Sequence, residues 1–187
     1  MKILVNFVFI SFIFFSITGC GNFIKIDKET YEKKVGIGPA GGYLFYDKGS
    51  YSDGWRYLEC APTDQSTEIQ WYNGSYTTTG ATATAVGTGK ANTATIVASQ
   101  GSGSYAAKLC DDLVLGGYDD WFLPSKDELN LMYTKLKVLG VGGFAFDFHW
   151  SSSEFNDISA WFQDFDDGFQ VSNNKSSDLR VRAVRAF

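Results

Sequence analysis

The sequence predicts an α+β domain with an irregular antiparallel sheet, and three observations carry that expectation. Two amphipathic segments with helix stop signals occupy the middle of the chain, at residues 104–115 and 125–140. Short strand-like runs precede them at residues 43–46 and 55–60, and others follow at 148–152, 160–163 and 180–186. No βαβ alternation links strands to helices, so the elements are segregated rather than interleaved. Two main helices and short strands are therefore expected, within one domain over residues 41–187.

The N-terminus reads as an export signal. Lys2 precedes an almost uninterrupted apolar run over residues 3–15, and Ser16-Ile17-Thr18-Gly19-Cys20 follows. An apolar run this short, with a small residue near its end, is a secretory signal rather than a spanning helix. The Ile-Thr-Gly-Cys step resembles the bacterial lipobox. That resemblance implies a signal peptide over residues 1–19, cleavage after Gly19 and acylation of Cys20. Ordinary signal cleavage with a free Cys20 thiol is the alternative. Several acyl chains on one residue hold far more firmly than one, so the expected location is the bacterial cell envelope, at the outer-membrane surface. Residues 21–34 are polar and aperiodic, and residues 20–40 are expected to form the lipidated N-terminus and its tether.

The chain has 16 Lys+Arg against 21 Asp+Glu; removing Lys2 leaves 15 against 21, a net charge of −6. An acidic surface repels phosphates, which argues against nucleic acid as a partner. The high aromatic content, 17%, suits a loop-rich packed fold or a recognition surface.

Along the domain, a turn-rich entry at residues 36–42 leads to the first strand, and Trp55 opens the second. Residues 77–103 are rich in Thr, Ala, Gly and Ser, a biased stretch expected to be surface loop with a short helix near 91–99. The next helix runs over residues 104–115 and stops at Gly116-Gly117. Its face holds Ala106, Leu109, Cys110 and Leu113, so Cys110 is expected to be a buried free thiol. Export permits a bridge to Cys60, but the pattern favours none. The following helix has a capping box: the Ser125 hydroxyl can accept from the Glu128 amide while the Glu128 carboxylate reaches back. Leu129, Met132, Tyr133 and Leu136 form its apolar stripe, and Gly140 ends it.

Three motifs now stand in order: 117–129, reading Gly-Tyr-Asp-Asp-Trp-Phe-Leu-Pro-Ser-Lys-Asp-Glu-Leu; Trp150-Ser151-Ser152-Ser153-Glu154; and Arg180-Val181-Arg182-Ala183-Val184-Arg185. Together they resemble Lcl C-terminal-type domains, of the broad C-type lectin-like fold related to the formylglycine-generating-enzyme type. The resemblance runs over residues 41–187. It implies paired N- and C-terminal strands, with residues 43–46 beside 182–186. The arginines near the end would then lie either in a polar seam or in solvent.

A closer resemblance is to the variable lipoproteins of diversity-generating retroelements in spirochaetes. Their C-terminal segment is rewritten by an error-prone reverse transcriptase that misreads template adenines, turning AAC codons into NNC. Residues 150–187 have that texture. A frame of Trp150, Ser151, Ser152, Ser153, Glu154, Ala160, Trp161, Gln163, Phe165, Gly168, Gln170, Lys175 and Arg180 alternates with erratic residues. The erratic positions are 155–159, 162, 164, 166, 167, 169, 171–174 and 176–179, and every residue there can be encoded by NNC. Met, Trp, Lys, Glu and Gln cannot, and in this segment such residues occur in the frame alone. The resemblance implies ligand contacts at Phe155, Asp157, Ile158, Ser159, Phe162, Asp164, Asp166, Asp167, Phe169, Val171, Ser172, Asn173 and Asn174. An aromatic and acidic patch of this kind suits a protein or glycan ligand. The alternative is a plain polar loop region in a non-varying lectin-like adhesin.

Chemical sites are weaker. Asp164-Phe165-Asp166-Asp167-Gly168 has clustered carboxylates but lacks the spacing and the closing Glu of an EF-hand, so no metal is expected. The calcium-dependent Glu-Pro-Asn and Trp-Asn-Asp sugar motifs of lectins are missing. His149 adjoins Trp150 and suits packing or exposure better than a base role, and Ser151, Ser152 and Ser153 have no evident base. A C-terminal cysteine pair of the formylglycine-generating type does not occur after Cys110. The expectation is a monomeric binding protein with no cofactor and no catalytic residues. A degenerate enzyme of that type is the least favoured rival.

Overall fold

A computed structural model describes residues 36–187. The signal segment, Cys20 and most of the tether lie outside the described residues. No helix among those described is long and apolar enough to cross a membrane.

The described residues form an α+β fold, with eight strands in two sheets and three α-helices. Strands β1 (Tyr43–Ser52) and β2 (Trp55–Cys60) form an antiparallel hairpin in which Ser52 faces Trp55 directly. The two-residue turn has positive φ at both Asp53 (52°) and Gly54 (83°), the requirement of a type I′ turn. Strand β8 (Val184–Ala186) pairs with β2, giving the order β1-β2-β8. The N-terminal hairpin thus meets the C-terminal strand, but through β2, not through residues 43–46. Burial explains the choice. Leu58, Glu59 and Cys60 of β2 are fully buried, as a central strand demands, whereas the second half of β1 is polar and exposed. Glu59 stands opposite Arg185 in register and accepts its Nη1 at 3.0 Å.

The second sheet has the order β3-β7-β4-β5-β6, built from β3 (Ser66–Ile69), β4 (Phe148–Glu154), β5 (Ser159–Asp164), β6 (Gln170–Asn174) and β7 (Leu179–Val181). Its pairs are antiparallel except β4 with β7. The run at 180–186, expected as one strand, is divided between the two sheets at Arg182-Ala183. Arg182 is drawn inward there: Nε donates to Asp64 Oδ1 (2.6 Å) and Nη1 to the carbonyls of Gly142 (2.9 Å), Ala61 and Pro62 (3.3 Å each). Strands β3 and β6 were not expected, because their polar residues show no alternation.

Among the described residues three α-helices occur where two main ones were expected: α1 (Gly89–Gln100), α2 (Ala106–Asp111) and α3 (Lys126–Lys135). Helix α1, expected as a short piece near 91–99, is the longest of them; small and polar residues (Gly89, Asn92, Thr93) share its buried face with Ile96. Helix α2 ends four residues early, since Leu115 bridges to Tyr118 instead of continuing the helix. Helix α3 carries the expected capping box, with Glu128 N donating to Ser125 Oγ (3.3 Å) and Ser125 N to Glu128 Oε2 (2.7 Å). The other Glu128 oxygen accepts from Gly87 N at 2.8 Å, so the box also fastens the approach to α1.

Buried residues fall into two clusters. One gathers Trp71, Ile96, Tyr105, Cys110, Leu123 and Trp150; the other Phe45, Leu58, Cys60, Leu129, Met132 and Phe165. Cys60 and Cys110 therefore sit in different clusters, and both are free thiols. Burial pushes the Cys60 thiol up to about 12, which removes thiolate reactivity.

The C-terminal arginines line a polar seam. Asp64 accepts from Arg182 and from Arg180 Nη1 (3.1 Å), and His149 Nε2 lies 3.4 Å from it. Burial pushes the Asp64 carboxyl up, but the His149 contact and the Arg182 charge outweigh that and hold it well below the usual range. His149 is fully buried, and desolvation lowers its pKa against the pull of Asp64. A histidine kept neutral by the fold takes up a proton on unfolding. Its contribution is whole above the unfolded value of about 6.5 and is lost as pH falls towards the folded value. Urea unfolding should therefore show stability falling from about pH 6.5 by up to roughly 1.4 kcal/mol per pH unit. In His149→Gln that slope should be absent, with Asp64 adding its own loss only at more acid pH.

Candidate ligand-binding surface

The β4–β5–β6 end of the larger sheet carries nearly all the residues singled out by sequence. Register sets their faces: Trp150 stands opposite Phe162, and Phe162 opposite Val171, while His149, Gln163 and Gln170 line the other face. That second face packs on α3, where Gln163 Nε2 donates to Asn130 Oδ1 (2.9 Å) and Gln170 Nε2 to the Lys126 carbonyl (2.8 Å). The Lys126 ammonium lies 3.6 Å over the Trp161 ring.

The frame residues hold this corner from inside. Trp150, Ser151, Ser152, Ser153, Glu154, Ala160, Gln163, Phe165 and Lys175 are buried; Trp161, Gly168, Gln170 and Arg180 are half-buried. Trp150 Nε1 donates to the Ile69 carbonyl (3.0 Å), Ser151 Oγ to Trp161 (2.8 Å) and Ser153 Oγ to Ala83 (2.8 Å). The strongest tie is an ion pair with no solvent exposure on either side chain, Lys175 Nζ to Glu154 Oε1 at 2.6 Å. Lys175 Nζ also donates to the carbonyls of Thr77 (2.9 Å) and Asp157 (2.8 Å), and Glu154 accepts the amides of Thr79 (2.8 Å) and Gly80 (2.9 Å). Burial raises the Glu154 pKa, but the bonds from Lys175, Thr79 and Gly80 outweigh it and lower the value overall.

The erratic positions lie outside that frame. Phe155 (52% exposed), Asp157 and Ile158 (47%) are exposed in the β4–β5 loop, which ends at half-buried Ser159. Asn156 Oδ1 shapes the loop by accepting from the amides of Ile158 (3.0 Å) and Ser159 (2.8 Å). Asp164 is half-buried, Asp166 and Asp167 are exposed in the β5–β6 turn, and Phe169 follows at 64% exposure. On β6, Val171 and Asn174 are exposed while Ser172 and Asn173 are half-buried.

Phe162 is withdrawn from this surface. It is 8% exposed and packs edge-on against Phe148 (5.2 Å) and Trp150 (6.4 Å). Alternation along β5 explains it, because Phe162 shares its face with Trp150 while Trp161 points the other way. Leu179, also in the erratic set, is buried.

Exposed aromatics outside the expected segment adjoin it. Phe148 (40% exposed) is in register with Asp164, Phe146 (77%) lies two residues upstream, and Tyr76 donates its hydroxyl to Asn174 Oδ1 at 2.6 Å. The period-2 spacing of Phe144, Phe146 and Phe148 is the sequence signal that marks the first two.

The acidic turn spends its carboxylates on its own backbone. Asp164 Oδ1 accepts from Asp166 N (2.7 Å), and Asp167 Oδ1 from Phe169 N (2.8 Å). Gly168 has φ 86°, and a Cβ there would meet the Tyr133 ring at 2.4 Å, so the turn requires glycine. Among the described residues no group of three or more His, Cys, Asp or Glu could hold a metal ion.

Compared with known families, residues 61–185 match the one described as the Lcl C-terminal domain. No curated protein matches the chain.

Three predictions test the division between frame and surface. Lys175→Met leaves Glu154 buried without its counter-ion and should lower unfolding free energy by about 3–5 kcal/mol in urea titration. Replacing Phe155, Ile158 or Phe169 singly by Asn should change it by no more than about 0.5 kcal/mol. Phe162→Ala should cost about 3 kcal/mol or more, read in the same titration.

Proposed function

Because the chain belongs to the Lcl C-terminal domain family, we propose that it is a cell-envelope lipoprotein displaying a C-type lectin-like binding domain. Its C-terminal segment, residues 150–187, is diversified by a retroelement to meet varying ligands, either protein or glycan. Cys20 carries the lipid that holds it to the membrane, and the domain acts as a monomer by non-covalent recognition.

One observation carries this reading. Of the 18 erratic positions, Phe162 and Leu179 are buried and the other 16 are exposed or half-buried, while most of the interleaved frame is buried. A domain that tolerates rewriting needs this partition, because stability rests on buried area and buried polar contacts while exposed positions change at little cost. Exposed Phe155, Ile158 and Phe169 beside Asp157, Asp166 and Asp167 supply apolar area and charge for a partner.

The reading includes no catalytic step. In its support, His149 is enclosed with Asp64 and the arginines, and the hydroxyls of Ser151 and Ser153 are committed to backbone carbonyls. Cys60 and Cys110 are both buried, with thiol pKa values raised by desolvation.

The gene tests the proposal directly. Codons at the erratic positions should end in C, and a near-identical template carrying adenines there should lie beside a reverse-transcriptase gene. Codons ending freely in A or G, with no template, would leave a non-varying adhesin of the same fold.

A further inference from the structure

Among the described residues, strand β6 is an edge of the five-stranded sheet, paired with β5 on one side and with no strand on the other. An antiparallel ladder alternates hydrogen-bonded and non-bonded pairs, so every second residue of an edge strand turns its N–H and C=O outward. Two bonds fix the parity here. Asp164 N donates to the Phe169 carbonyl (2.9 Å), and Lys175 N to the Ile158 carbonyl (2.9 Å), one at each end of the ladder. Residues 169, 171, 173 and 175 therefore bond to β5, and Gln170, Ser172 and Asn174 face the open edge. Asn174 is already used, its amide by Asn173 Oδ1 (2.8 Å) and its carbonyl by Ser177 N (3.0 Å). Among the described residues, no hydrogen bond outside the strand ladder reaches the amides or carbonyls of Gln170 and Ser172.

Edge strands are ordinarily blunted by lysine, proline or a bulge. The β5–β6 pairing runs without a register shift, and β6 contains neither lysine nor proline. Exposed Phe169 and Val171 flank the open groups. Charge indicates what the edge accepts: residues 155–174 contain Asp157, Asp164, Asp166 and Asp167 and no Lys or Arg. We propose that β6 docks an extended, lysine- or arginine-bearing segment of a partner protein by strand addition, through the backbone N–H and C=O of Gln170 and Ser172. The inference rests on the binding-module reading and deepens it. Backbone groups persist whatever side chains residues 169–174 carry, so a diversified surface keeps one constant docking element while its side chains set specificity.

The test uses the full chain and an acetylated eight-residue peptide alternating Lys or Thr with Val. A second peptide of the same sequence is N-methylated at the amides that would face β6. Heteronuclear NMR should show the unmethylated peptide shifting and protecting the Gln170 and Ser172 amides, with weaker binding at higher salt. The methylated peptide should not bind. Ser172→Pro removes an outward N–H without breaking the β5 ladder, and should weaken binding about tenfold or more. Ser172→Ala should bind as the parent does. Equal binding by the methylated peptide, undiminished binding by Ser172→Pro in a variant that still melts cooperatively, or no binding at millimolar peptide overturns the proposal. The methylated peptide decides the matter even if Ser172→Pro fails to fold. None of these results alters the codon signature, which stands or falls separately with the wider reading.

Discussion

Lys175 is a buried cation whose three ammonium hydrogens have three acceptors: the Glu154 carboxylate, the Thr77 carbonyl and the Asp157 carbonyl. The Trp71 ring lies 4.8 Å from the same nitrogen, and the Glu154 oxygens also take the amides of Thr79 and Gly80. Withdrawing two charges from water costs several kcal/mol each, and the pair offsets that cost only because every hydrogen-bonding group is met. The gain is in geometry. One ion pair fastens the 77–80 loop, the start of the β4–β5 loop and the end of β6 to the same point, and the candidate surface is built on those pieces.

Around that point the sheet divides labour between its two faces and its edge. The face towards α3 is closed by Gln163, Gln170 and the Lys126–Trp161 contact, and the opposite face is closed by Trp150 and Phe162. What remains accessible is the rim: the two loops that flank β5, and the outer edge of β6. Three rim residues complicate the picture. Asn156, Asp164 and Asp167 are solvent-facing or half-buried, yet each accepts backbone amides that shape its turn. Their replacement alters loop path as well as surface chemistry, so variation there changes the shape of the rim along with its charge.

The charged seam beneath the sheets plays a different part. Asp64 gathers Arg180, Arg182 and His149, and Arg185 joins Glu59 and Asp120, so the last residues of the chain are tied to both sheets. This is why a strand-like run of seven residues becomes two strands of three. Arg182, at the junction, has more to gain from buried carbonyls and a carboxylate than from continuing a ladder.

Sequence alone determined the elements whose signals are local. The capping box at Ser125 and Glu128 spans four residues, and β2 is bounded by the run it was read from. Trp150, Glu154, Gln163 and Lys175, which the resemblance set apart from their neighbours, are all buried. Tertiary structure decided everything that depends on distant partners. Strands β3 and β6 are polar and aperiodic, and they are strands because β7 and β5 supply the other half of each hydrogen bond. Phe162 is buried because Trp150 stands opposite it, and α1 is anchored by Glu128 from another helix. Lys175 reaches across 98 positions to Thr77, and Arg182 across 118 to Asp64. A side chain's own neighbours in sequence fix its turn or cap; whether it is buried, and against which charge, is fixed by chain segments that approach it only after folding.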